Sequence, residues 1–307
     1  MKKELLRILV LILACLFLFV GCDFSANGGS EDITEGTTEG TGEENDTESE
    51  EIEESPYEFE LLADQTYGIK IGLATDAEEI VIPGKYRGKP VTRVLENGFK
   101  AAQKLKKLTI PSEIKEIGDS AFYECSELES LTISKGLTDI GNYAFRECDA
   151  LISVTIPEGV ISIGEKAFAS CNNLRSISLP GSLKHIGESL FDGCLSLKEV
   201  ALPNGLASFT LTAAMFSNCP ALTSFTIPEG VETIEGYAFN GCLSLTSITI
   251  PRSVMSIESG VFEACLRLSN ITFTGTKAEW EAVYKEEDWD RNTRSYVVTC
   301  TDGQINK

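Results

Sequence analysis

The sequence predicts a solenoid of about eight stacked 23-residue rungs, and three observations predict it. Cysteine recurs at Cys125, Cys148, Cys171, Cys194, Cys219, Cys242 and Cys265, with gaps of 23, 23, 23, 25, 23 and 23 residues. Phenylalanine stands three places before each one, at Phe122, Phe145, Phe168, Phe191, Phe216, Phe239 and Phe262. An eighth, Phe99, keeps the period with Ala102 in the cysteine's place. Each interval repeats the pattern Ile-Gly-x-x-Ala-Phe-x-x-Cys-x-x-Leu-x-x-Leu/Ile-x-Ile-Pro, as in Ile163, Gly164, Ala167, Phe168, Cys171, Leu174, Ile177, Leu179 and Pro180. Self-similarity at a period of about 20–29 residues is the signature of a leucine-rich repeat solenoid. Its elements are short parallel β-strands and short helical turns, with a cap at each end.

The chain opens with Lys2, Lys3 and Arg7 and then runs without charge from Ile8 to Val20. A comfortable membrane span needs roughly 20 residues, so this shorter, lopsided run reads as a secretory signal over residues 1–21. It ends in Phe19-Val20-Gly21-Cys22, which resembles the lipobox of bacterial lipoprotein signals. That resemblance implies an acylated Cys22 as the mature N-terminus, held in a membrane outside the cytoplasm. Residues 22–56 follow as a tether: positions 23–56 carry 13 Asp and Glu and no Lys or Arg. Such a composition cannot bury enough apolar surface to offset the entropy of ordering. A coil of 34 residues reaches roughly 30–35 Å, enough to lift a folded head off a membrane.

Residues 57–98 read as an N-terminal coil and cap, 99–274 as the repeats, and 275–307 as a C-terminal cap. Within a rung, Ser153-Val154-Thr155-Ile156-Pro157 alternates polar and apolar residues, the mark of a short strand. Proline ends that strand because it has no amide hydrogen to pair. A second alternating piece, Val160 to Ile163, predicts another short strand, and Ala167-Phe168-x-x-Cys171 has the three-residue spacing of a helical turn. Stacked at about 4.7–4.9 Å per strand, eight rungs span roughly 35–40 Å.

Composition narrows function. Hydrophobic residues are 42% and charged residues 24%, which fits a folded protein. Forty-seven acidic residues against 26 basic ones give −21, the wrong sign for a generic grip on nucleic acid. The one histidine, His185, is expected on the surface of a second short strand. No G-x-S-x-G, P-loop or H-E-x-x-H occurs, so no catalytic residue, metal site or cofactor is expected. The cysteine ladder reads as buried thiols filling each coil, with disulfides or metal as the alternatives. Cys300 stands outside the ladder, and pairing with Cys265 is an open option.

Two surface features remain. The outward positions of the main strand are small and polar, among them Ser130, Thr132, Ser153, Thr155, Ser176, Ser178, Ser224, Thr226, Ser247 and Thr249. Such a stripe lacks the aromatic and arginine anchors of binding hot spots. Residues 85–115 hold nine cations, Lys85, Arg87, Lys89, Arg93, Lys100, Lys104, Lys106, Lys107 and Lys115, against Glu96 and Glu113. Three readings compete for this segment: a patch for an anionic surface or glycan, a partner for the acidic tether, or a soluble cap.

The rungs resemble the treponemal-type, or BspA-like, leucine-rich repeats of bacterial surface proteins. The likeness runs from about Tyr57 to Lys307 and includes Ile80-Val81-Ile82-Pro83 with Gly88-Lys89-Pro90-Val91-Thr92. It also includes Gly275-Thr276-Lys277-Ala278-Glu279-Trp280, similar to the helix that closes the solenoid in that family. Two departures stand out: a two-residue insertion between Pro203 and Phe216, and Met215 where alanine is usual. The resemblance implies a lipid-anchored, monomeric surface module that binds or adheres to a protein or polysaccharide. A structural lipoprotein that organises the envelope is the alternative.

Overall fold

The computed structural model describes residues 55–202 and 211–307. The signal-like segment, Cys22 and nearly all of the tether lie outside the described residues, as does the first part of the interval holding the insertion.

The body is a parallel β-solenoid with two sheets running along its length. The main sheet is built of the alternating pieces in three hydrogen-bonded runs: Glu79–Val81, Lys107–Ile110 and Ser130–Ile133; then Ser153–Thr155, Ser176–Ser178 and Glu199–Ala201; then Ser224–Thr226, Ser247–Ile250, Asn270–Phe273 and Val297–Cys300. The register repeats the sequence period, so Lys107 lies beside Ser130, Ser153 beside Ser176, and Ser224 beside Ser247. The second sheet stacks two-residue strands such as Glu116–Ile117, Asp139–Ile140, Ser162–Ile163 and His185–Ile186. Both ends close with antiparallel pairs: Glu58–Leu61 on Tyr67–Lys70, and Gly303–Asn306 on Val297–Cys300. An unpaired sheet edge is a template for aggregation, and these hairpins blunt it.

The third wall departs from the expected helical turn. The residues two before and two after each ladder phenylalanine have positive φ, as at Tyr143 (56°) and Glu147 (60°) around Phe145, and Lys166 (51°) and Ser170 (57°) around Phe168. Those residues and the phenylalanine point their N–H groups at the next rung: Tyr143 to Glu165 O (2.8 Å), Phe145 to Ala167 O (2.8 Å), Glu147 to Ala169 O (3.0 Å). The residues between them close tight turns, Arg146 N–H to Tyr143 O and Cys148 N–H to Phe145 O. In a helix every N–H past the first turn bonds within its own segment. Here alternate N–H groups join rungs, which offsets the steric cost of left-handed backbone. Among the described residues the α-helix is Lys277–Ala282, with Thr276 and Glu279 forming a capping box. Tyr284–Lys285 and Val297–Cys300 follow it, each adding a strand to the stack before the final hairpin.

Inside, the eight phenylalanines are fully buried and stack ring over ring, with centroids 5.2–6.4 Å apart. Tyr57 meets Phe99 at one end and Trp289 meets Phe262 at the other. Beside this column run the seven thiols, all free and buried. Each Sγ–H donates to the carbonyl of the preceding rung's phenylalanine, as from Cys171 to Phe145 O (3.2 Å) and from Cys194 to Phe168 O (3.1 Å). Met215 fills its alanine position with no exposure. The option of a Cys265–Cys300 disulfide fails: both are free, because Cys300 sits on the main sheet and Cys265 on the turn wall.

Candidate functional site

The main sheet presents the expected hydroxyl columns. Ser130, Thr132, Ser153, Thr155, Ser224 and Thr226 are exposed, while Ser176, Ser178, Ser247 and Thr249 are half-buried. Glu199 and Ala201 interrupt the columns at one rung. Toward the C-terminal end the polar groups engage one another, with Thr299 donating to Asn270 Oδ1 (3.1 Å). Among the described residues the face holds hydrogen-bonding groups on mostly small side chains, without the aromatic and arginine anchors of binding hot spots.

The nine cations of residues 85–115 fall on all three walls. Lys85 and Lys89 share one small hairpin with Arg87 at its tip, over the ring of Tyr86 (5.4 Å). Arg93 pairs with Glu116 (2.7 Å) on the second sheet, where Lys115 donates to Ser112 O. Lys104 and Lys106 pair with Asp76 (2.9 Å) and Glu78 (3.1 Å), acids outside the counted segment. Lys107 belongs to the main sheet and Lys100 to the turn wall. The structure thus gathers Lys85, Arg87 and Lys89 and disperses the rest.

His185 is exposed and lines an open groove along the Ile-Gly corner, with Ser162, Glu165, Glu188 and Glu235. Carboxylates and amides there hold backbone: Asp119 accepts from Asn142 N–H (2.8 Å), and Asn142 Oδ1 accepts from Glu165 N–H (2.8 Å). Among the described residues, no group of three or more His, Cys, Asp or Glu could hold a metal ion.

The turn wall carries a cluster that the sequence reading missed. Lys100, from the rung before, lies over the ring of Tyr123 (4.8 Å), and Arg146, from the rung after, lies over the same ring (5.6 Å). Arg146 also lies over Tyr143 (5.9 Å), which meets Lys166 (5.9 Å) from the next rung. Glu147 accepts from Arg146 (3.0 Å) and the Tyr123 hydroxyl (3.4 Å). Glu165 accepts from Lys166 (2.7 Å) and the Tyr143 hydroxyl (3.0 Å). The Lys166 ammonium first, and the Tyr143 hydroxyl second, hold the Glu165 carboxyl below its ordinary range. Burial, with Glu124 and Glu147 nearby, pushes the Tyr123 hydroxyl up. Arg146 Nε is the one buried side-chain nitrogen or oxygen among the described residues without a hydrogen-bond partner. Its guanidinium is held through Nη2 by Glu147 and by the two rings, a cation–π arrangement. Sequence spacing could have found the cluster: Lys100, Tyr123 and Arg146 each follow a ladder phenylalanine, and Tyr143 and Lys166 each precede one by two.

Comparison with known proteins is consistent with the geometry. Residues 92–213 and 210–282, more than half of the chain, match the model of the BspA type leucine rich repeat region in six copies. The T. pallidum leucine-rich repeat protein TpLRR is similar at 29% identity and TM-score 0.58, over 62% of this chain and 88% of that one. A leucine-rich repeat protein from Bacteroides ovatus is similar at 26% identity and TM-score 0.60, over 75% of this chain and 66% of that one. A search of curated proteins finds no match.

Proposed function

The chain belongs to the BspA type leucine-rich repeat family, and from that premise we propose that it is a non-catalytic binding or adhesion module of the cell surface. A lipid on Cys22 holds it to the membrane, the acidic tether lifts it, and the solenoid surface recognises a protein or glycan. One observation carries this reading. Inward positions repeat from rung to rung while those on the surface of the turn wall change, as at Lys100, Tyr123, Arg146 and Asp192, which all follow a ladder phenylalanine. A repeat stack gives long, rigid surface whose side chains vary without disturbing the core.

Surface plasmon resonance of the full chain in detergent, against matrix proteins, glycans and envelope polymers, tests the reading. Saturable binding to one class supports it. Binding to none favours the envelope-organising alternative. Protease added to intact cells should cut the solenoid, and a chain protected until lysis is no adhesin. The anchor has its own check: Cys22→Ala should leave the membrane fraction, since two or three acyl chains at about 0.8 kcal/mol per buried CH₂ account for its attachment.

A further inference from the structure

We infer that the turn wall around Arg146, Tyr123 and Tyr143 is the docking surface of this module, and that its partner is a polypeptide. The inference rests on the binding-module reading and adds the site and the partner class.

Three features set the cluster apart. It is a continuous alternation, Lys100–Tyr123–Arg146–Tyr143–Lys166, reaching across four rungs. The other cation–ring pairs among the described residues belong to the two caps. Tyrosine and arginine are the residues enriched at interface hot spots, and here ion pairs and ring contacts already fix them. Side chains ordered before binding lose little entropy on contact. Four rungs at about 4.8 Å give roughly 14–15 Å between the outer two, the scale of an energetic centre within an interface of about 800 Å² per partner.

Charge and ring access select the partner. Lys100, Arg146 and Lys166 are balanced by Glu124, Glu147 and Glu165, so the cluster has no net pull on a polyanion. Each ring already holds two cations, Lys100 (4.8 Å) and Arg146 (5.6 Å) on Tyr123, and Arg146 and Lys166 (5.9 Å each) on Tyr143, so a sugar stacking on either would compete with them. What remains is a row of alternating donors and carboxylate acceptors with aromatic edges between them. A polypeptide backbone presents the matching alternation of C=O and N–H.

The test pans a phage library of random 12-residue peptides against the full chain in detergent, with a glycan array run in parallel. Enriched peptides should lose at least tenfold in affinity on Tyr143→Ala and on Arg146→Ala, and keep it on the paired sheet change Ser153→Ala/Thr155→Ala. Arg146→Lys should also lose affinity, because an ammonium cannot span two rings as the planar guanidinium does. If an alanine variant lowers the melting temperature by more than a few degrees, Lys100→Glu, an exposed change at the cluster's edge, replaces it. Peptides that bind these variants as they bind the parent overturn the inference. So does enrichment of none, or glycan binding that depends on Tyr143. A ligand from the plasmon-resonance screen that ignores all these variants overturns this site and leaves the binding-module reading standing. A chain that binds nothing in either experiment loses both.

Discussion

At the scale of one residue, the ladder cysteine fills volume and also supplies a hydrogen bond. Ala102 at the first rung already showed from sequence that the position wants something small and apolar. The bond was not legible, because each acceptor is a backbone carbonyl 26 or 28 residues earlier, on the neighbouring coil. Burial pushes the Cys125, Cys194 and Cys265 thiols up to about 12 from an ordinary 9.0. The nucleophile is the thiolate, so native ladder thiols should not react with a disulfide reagent at pH 8, and should all react once the chain is unfolded. In the mature chain, without Cys15 and with Cys22 acylated, Cys300 is the one thiol outside the ladder, so rapid colour from the folded chain beyond one thiol would contradict their burial. Cys171→Ala should cost about 1–2 kcal/mol in a urea melt, the net worth of one hydrogen bond and a small void. Phe168→Ala, which removes a whole ring from the column, should cost about 3–5 kcal/mol.

At the scale of the element, the strands and their register were readable because alternation and a period of 23 map directly onto parallel pairing. The turn wall was not. Only Gly193, Gly241 and Gly260 of its sixteen positive-φ positions are glycine, so the usual marker of left-handed backbone is mostly absent. The Ile-Gly corner shows the opposite case. A Cβ on Gly164 would lie 2.5 Å from Asn142 N, and one on Gly187 2.2 Å from Glu165 N, so only hydrogen fits between those rungs. Gly164→Ala should destabilise by about 1–3 kcal/mol through overpacking. Gly236→Ala, whose nearest atom would be Ser259 O at 3.3 Å, should cost less; equal costs in thermal melts would mean that rung separation is not set at this corner. The thiol ladder makes a collective prediction about alkali. Folding raises each thiol pKa, so between 9 and about 12 the unfolded chain has lost protons that the native one keeps. The thiols' contribution is complete below the unfolded value and falls as pH rises, by about 1.4 kcal/mol per unit for each. Seven together approach about 10 kcal/mol per unit, comparable to the whole stability of a domain at about 5–15 kcal/mol. Circular dichroism should therefore show a steep alkaline transition within one or two units above pH 9, shallower by about one proton in Cys125→Ala. A transition releasing only one or two protons would rule the collective effect out.

At the scale of the whole molecule, stability is a sum of rungs and the contacts between neighbours, so the ends decide how the stack opens. The phenylalanine column needs something to sit on at each end, and aromatic cap residues provide it. Trp289 packs edge-on against Phe262 (5.7 Å) and also meets Trp280 (6.0 Å) and Tyr296 (6.2 Å). Asp290 is buried next to it, bonded by the Tyr296 hydroxyl (2.5 Å) and paired with Lys307. The sequence marked out 275–307 as a cap by likeness. It could not show that Trp289 ends the ring column, since that residue lies 27 positions beyond Phe262, off the 23-residue period. Trp289→Ala should remove about 3–5 kcal/mol from the last rung. In a nearest-neighbour stack that loss stays near where it is made. Hydrogen exchange should then quicken strongly around Phe262 and Cys265, moderately around Phe239, and not at all around Phe122. Because the Tyr123–Arg146 cluster lies on the early rungs, its peptide binding should survive the same change. Uniformly faster exchange along the chain, or binding lost together with the cap, would mean that the solenoid opens as one cooperative unit.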